Sequence, residues 1–231
     1  PGVVAWIHES LPALEAANVS TVASIWGRTL HEYVLAANQL RAAGQSISAI
    51  EVNLSCPNLE GRSGIIAHDP SLAGRIISAV CSESIVPVWA KLSANTDRVV
   101  EVSTAVRDAG ASAITLINTM LGMQINTSSG RPSLGNGGGG LSGPAIRPIA
   151  VRAVHDVKAA LPDVDIIGVG GIASGNDAIE MMMAGARAVQ IGTASFASPS
   201  AVWDIALAAS ARMKELGYAS WDDVVGCVHR L

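Results

Sequence analysis

The sequence predicts a parallel α/β fold of the TIM (β/α)8-barrel class, and three observations carry that expectation. Short β-branched runs alternate with longer Ala-rich helical stretches along the whole chain. Two successive strands near the C-terminus end in glycines that lead straight into helices, as Gly168-Val169-Gly170-Gly171-Ile172 and Ile191-Gly192-Thr193-Ala194. Polar residues close three earlier strands, at the strand end where barrels carry their chemistry.

Taken in order, strands are predicted at 21–26, 49–54, 86–92, 112–118, 165–169 and 188–192. Helices follow them at 30–43, 70–83, 96–109, 144–161, 176–184 and 199–216. Helix starts are signalled by Asp69-Pro70, Asn95-Thr96-Asp97, Gly143-Pro144 and Ser174-Gly175-Asn176. Gly44, Gly110, Gly185 and Gly217 mark helix ends, where a left-handed closing residue costs glycine little. Residues 121–143, and a shorter stretch at 55–69, read as irregular, and long irregular stretches inside a domain are usually functional. No composition break interrupts the six units, so residues 1–231 read as one domain. A closed barrel needs eight strands, and the chain opens without Met at Pro1-Gly2-Val3-Val4. The expectation is therefore a barrel fragment whose strands 1 and 2 are missing, with a six-unit open sheet as the alternative.

Composition narrows the function. Of the 231 residues, 49% are hydrophobic and 15% charged, which excludes a disordered chain. No run approaches the ~18 apolar residues that a membrane helix requires. A net charge of -4 with no Lys/Arg cluster argues against a nucleic-acid partner. Three cysteines, Cys56, Cys81 and Cys227, make neither a disulfide framework nor a zinc pattern, so a reducing, cytoplasmic setting is the default. The five histidines show no ligand spacing, and no metal is expected. Met181-Met182-Met183 reads as helix core or packing surface.

The motifs point to a bound phosphate and to proton chemistry on a polar ring. Glycines at two successive strand ends expose backbone N–H groups to an anion, the usual phosphate site of barrel strands 7 and 8. Tight βα turns would use the same residues. Asn53-Leu54-Ser55-Cys56-Pro57-Asn58 places a thiol between two carboxamides. Carboxamides both donate to and accept from a heterocycle, and a tuned thiol can take a proton from carbon. A small buried Cys with turn-forming neighbours is the plainer reading. Lys91, one of three lysines, ends an apolar strand and either enters the site or snorkels to its rim. Asn118-Thr119 closes the next strand.

As a set these motifs resemble the class 1 dihydroorotate dehydrogenases, FMN-containing barrels of pyrimidine biosynthesis. The resemblance runs through Asn53-Leu54-Ser55-Cys56-Pro57-Asn58, Lys91-Leu92-Ser93, the Leu116 to Met123 segment, Gly139-Gly140-Leu141-Ser142-Gly143-Pro144 and both glycine motifs. The Leu-Gly-Met and Gly-Gly-Leu-Ser-Gly-Pro segments are closer to subclass 1B, which delivers electrons to NAD, than to fumarate-using subclass 1A. It implies that Cys56 is the general base for C5 of dihydroorotate while hydride leaves C6. It implies that Asn53, Asn58, Asn118 and Thr119 bind the pyrimidine and its carboxylate, and that Lys91 sits at the flavin N1/O2 edge. Ile117 and Gly143 would contact the flavin, and Gly170, Gly171, Gly192 and Thr193 its phosphate. It further implies a homodimer, or a heterotetramer with an iron–sulfur flavoprotein subunit that carries FAD and the cluster. Two departures stand out. Ser24 occupies a position where subclass 1B usually has asparagine. Pro1-Gly2-Val3 matches the segment just after the family's Asn-Ser-x-Gly-Leu-x-Asn motif, so this chain alone is expected to be weakly active or inactive. The alternatives are a dihydropyrimidine dehydrogenase-like flavoenzyme, a flavin-free lyase or isomerase using the glycine site, and an inactive fragment of the barrel.

Overall fold

All six predicted strands are present in the computed structural model, which describes residues 2–55 and 65–230. The chain divides into two units, Pro1–Leu92 with Arg98–Thr115, and Ser93–Asp97 with Leu116–Leu231.

The first unit opens with two short helices absent from the sequence prediction, α1 (Val3–Glu9) and α2 (Leu11–Ala16), neither of which has a side-chain cap. Four strands follow, β1 (Val22–Ile25), β2 (Ala49–Asn53), β3 (Val88–Lys91) and β4 (Ala113–Leu116). Each is parallel to the next, in chain order. Between them run α3 (Leu30–Leu40), α4 (Pro70–Glu83) and α5 (Val99–Asp108). The Thr29 hydroxyl caps α3 by accepting from Glu32 N, and the Asp69 carboxylate caps α4 by accepting from Ser71 N and Leu72 N. On α4, Ala73, Ile76, Ile77 and Val80 are all buried, the 3-4 spacing of a helix laid on a sheet.

Register separates the two faces of this sheet. Paired residues of parallel strands share a face, and faces alternate along each strand. Ala23, Ile25, Ile50, Val52, Val88, Ala90 and Ile114 fall on one face, and all are buried. Ser24, Glu51, Asn53, Trp89, Lys91 and Thr115 fall on the other. The polar residues that the sequence singled out on these strands thus share one side.

The second unit holds β9 (Asp165–Val169) and β10 (Ala188–Gln190), again parallel. The predicted irregular stretch is instead a two-tier hairpin. Strand β5 (Met120–Gly122) pairs antiparallel with β8 (Gly139–Leu141), and β6 (Ile125–Asn126) with β7 (Arg131–Pro132). Glycine-rich and proline-containing strands have poor β-propensity, which hides this arm from a sequence pattern. Its turn is closed by the Asn126 carboxamide, whose oxygen accepts from Ser128 N and Ser129 N.

The helices of this unit are α6 (Arg147–Ala160), α7 (Gly175–Met183), α8 (Ala194–Ala197), α9 (Ala201–Glu215) and α10 (Trp221–Val224). A single helix was expected over 144–161, but Pro148 has no N–H for the Pro144 carbonyl. Residues Pro144–Ile146 therefore form a separate 3-10 turn, closed by Arg147 N donating to Pro144 O. Met181 and Met182 are buried as expected. Lys158 lays its stem along Gly185 and donates from Nζ to Pro162 O at 2.6 Å and Val164 O at 3.1 Å. Among the described residues no helix is long and apolar enough to cross a membrane.

The start of α7 gives a first testable expectation. Ser174 Oγ accepts from Asp177 N at 3.2 Å, while Asp177 accepts from Ala173 N at 3.0 Å and pairs with Arg147 at 2.5 Å. Replacing Ser174 by alanine removes the cap and costs about 1 kcal/mol. Thermal unfolding is the measurement, with a Tm lowered by roughly 2–4 °C expected.

Candidate functional site

The predicted residues of the first unit stand at the C-terminal ends of adjacent strands. Asn53 ends β2 and Lys91 ends β3, paired in register. Both the side chain and the backbone of Asn53 are held. Its side-chain oxygen accepts from Ser55 N at 3.1 Å, and its backbone carbonyl accepts from the hydroxyl of fully buried Tyr33 at 2.7 Å. Cys56 and Asn58 lie outside the described residues.

Sequence reasoning missed a buried carboxylate on the same face. Glu51 is 6% exposed and accepts a hydrogen bond from Thr115 Oγ1 at 2.9 Å. The signal was present, because an acidic residue within Ala49-Ile50-Glu51-Val52 breaks an apolar run just as Lys91 does.

The cofactor candidates of the second unit converge. Ile117 N donates to Val169 O at 2.7 Å, which holds Ile117 beside the end of β9. Gly143, Gly170 and Gly171 all have positive φ, at 85°, 136° and 74°. A Cβ on Gly170 would stand 3.4 Å from Ile117 Cγ1 and 2.9 Å from Ala150 Cβ. One on Gly171 would stand 2.8 Å from Gly143 O, and one on Gly143 would stand 3.6 Å from Thr193 Cγ2. Ile117, Gly143, Gly170, Gly171 and Thr193 therefore form one cluster around the ends of β9 and β10.

The glycines do different work there. Gly170 and Gly171 are required by backbone conformation and close packing, so the tight-turn reading accounts for them without a ligand. Gly192 is another matter. A Cβ there would meet nothing within 4 Å, and both Gly192 and Thr193 are exposed. Open space, a hydroxyl and backbone N–H groups at a strand end are compatible with a bound phosphate.

Asn118 and Thr119 follow Ile117 and are half-buried. Thr119 lies so close to Gly140 that any side chain at position 140 would fall on it. Asn95, expected to start a helix, instead turns its carboxamide to this segment, and α5 begins only at Val99.

The remaining cysteines behave as packing residues. Cys81 Sγ donates to Gly110 O at 3.4 Å, and burial pushes its thiol pKa up, away from thiolate chemistry. Cys227 Sγ accepts from the Tyr218 hydroxyl at 3.7 Å.

Comparison with known proteins bears on this geometry. The family model for dihydroorotate dehydrogenase matches residues 1–213. The catalytic subunit of dihydroorotate dehydrogenase B (NAD(+)) from Geotalea uraniireducens is 42% identical over 227 residues, 98% of this chain and 74% of that protein. The subunits of the same name from Bacillus pumilus and Anoxybacillus flavithermus are 38% and 41% identical. They are aligned over 98% and 100% of this chain and 72% of their own lengths. The fold elements, the glycine cluster and the similarity across nearly the whole chain agree: this chain belongs to the dihydroorotate dehydrogenase family of oxidoreductases.

Proposed function

We propose that the protein oxidises (S)-dihydroorotate to orotate as the catalytic subunit of a B-type, NAD-linked enzyme, on six βα units of a (β/α)8 barrel. The observation that carries the reaction is the 38–42% identity to relatives of that name over 98% or more of the chain. The cofactor is FMN. Its phosphate would be taken by Gly192, Thr193 and the backbone of Gly170 and Gly171, with Ile117 and Gly143 along the flavin. The open space beside Gly192 leaves room for that group.

FMN, when bound, supplies the two-electron acceptor for the hydride that leaves C6 of the substrate. The chain's own groups supply the rest. Cys56 as thiolate takes the proton from C5, so that one proton and one hydride leave and the C5–C6 double bond forms. Asn53, Asn58, Asn118 and Thr119 orient the ring and its carboxylate through hydrogen bonds. Lys91 places a positive charge at the end of β3, where it favours charge that develops during oxidation. Electrons pass on to NAD through a partner subunit that bears FAD and an iron–sulfur cluster, which the relatives' designation as catalytic subunits supports.

The test is the visible spectrum of the protein purified as its whole gene product, before and after anaerobic dihydroorotate. An oxidised-flavin spectrum that bleaches is expected. A flavin that ignores dihydroorotate but bleaches with dihydrouracil would transfer the assignment to dihydropyrimidine oxidation. A colourless protein that no added FMN restores would end the flavoenzyme reading.

A further inference from the structure

The candidate substrate segment is held in place by a residue with no assigned role. Asn95 makes three side-chain hydrogen bonds. Nδ2 donates to Ser93 Oγ at 2.9 Å and to Thr119 O at 3.0 Å, and Oδ1 accepts from Leu121 N at 2.8 Å. The same Ser93 hydroxyl accepts from Asn95 N at 3.1 Å, and Ser93 is 1% exposed. Asn95 therefore stands on a buried, preset base rather than on a free surface turn.

The pattern at the other end is specific. In an extended strand, the carbonyl of one residue and the N–H two residues later project to the same side. Thr119 O and Leu121 N are such a pair, flanking Met120 at the start of β5. Met120 pairs with Leu141 of β8 on the opposite edge. Asn95 thus takes the place of a neighbouring strand along the free edge of β5. Only a carboxamide suits this, because it alone offers a donor and an acceptor side by side. A carboxylate would set an acceptor against the Thr119 carbonyl.

We propose that Asn95 is a positioning residue that fixes the Thr119 backbone, and with it Asn118, for ligand binding. Thr119 is then fixed from two directions, by Asn95 at its carbonyl and by Gly140 against its side chain. The proposal rests on the assignment of Asn118 and Thr119 to the pyrimidine.

Two variants and two readouts test it on the flavin-loaded protein. Hydrogen exchange at the Leu121 amide reads the clamp without any ligand. Asn95→Ala removes the acceptor and should speed that exchange by about 10-fold or more, whereas Asn95→Asp keeps an acceptor and should leave it near wild type. Anaerobic flavin reduction by dihydroorotate reads the consequence. Both variants should raise the half-saturating dihydroorotate concentration by about 10-fold, while the limiting rate changes by less than about 3-fold and flavin content stays level. Unchanged Leu121 exchange in Asn95→Ala would overturn the clamp. Faster exchange with unchanged saturation in both variants would overturn the positioning role. If Asn95→Ala fails to fold, the near-isosteric Asn95→Asp decides by its saturation curve. A wild-type flavin that ignores dihydroorotate would refute the substrate assignment instead, and the exchange data would still judge the clamp.

Discussion

Replacing Cys56 by serine should slow flavin reduction by dihydroorotate about 10²–10⁴-fold at neutral pH, the range over which a positioned general base contributes. The sign of its pH dependence follows from acidity. The base acts deprotonated, and a serine hydroxyl is a far weaker acid than a thiol, so the variant should regain rate as pH rises beyond the wild-type plateau. Rapid-mixing absorbance of the bound flavin across pH measures both. Flavin content should be unaffected, because the cofactor assignments lie on other residues. A variant that reduces its flavin at the wild-type rate would remove Cys56 from the base role.

Two of the glycines proposed for the FMN phosphate should respond in opposite ways. Gly171→Ala sets a Cβ at φ 74°, 2.8 Å from Arg147 Cβ and from Gly143 O. Two of the nearest atoms, Gly143 O and Arg147 N, are backbone, so they give way only by shifting the turn before α6. A stability loss of about 2–4 kcal/mol is expected from the strained φ together with overpacking. Thermal unfolding should show it as a Tm lowered by roughly 5–15 °C. Gly192→Ala meets nothing within 4 Å and should unfold like wild type. It should instead lose FMN, because the methyl group enters the space assigned to the phosphate. Equal flavin retention in Gly192→Ala and wild type would move the phosphate elsewhere.

The positions of the strands were legible because their signal is local. Apolar β-branched runs between turn residues mark β2, β3 and β4 to within two residues, and Asp69-Pro70 marks the start of α4. Lys91 was legible for the converse reason, as a charge at the end of an apolar strand. What escaped was decided by groups distant in sequence. Asn95-Thr96-Asp97 has the composition of a helix start, but its carboxamide bonds a strand edge 24 and 26 residues away. The arm from Met120 to Leu141 pairs glycines whose side chains carry no pattern to read. Glu51 is legible on the same physical ground as Lys91, as a charge in an otherwise apolar strand.

The lysine inventory has a consequence for chemical labelling. Lys214 is exposed on α9, and its amine meets reagents freely. Lys158 has its stem against Gly185 and its ammonium on two carbonyls, so acylation must first break both bonds. Lys91 is then the one remaining side-chain amine. A mass-spectrometric footprint of amine acylation therefore has three separable channels, a fast surface reference, a slow structural one, and a third, at Lys91, whose change on adding FMN would test the proposed occupancy at the end of β3.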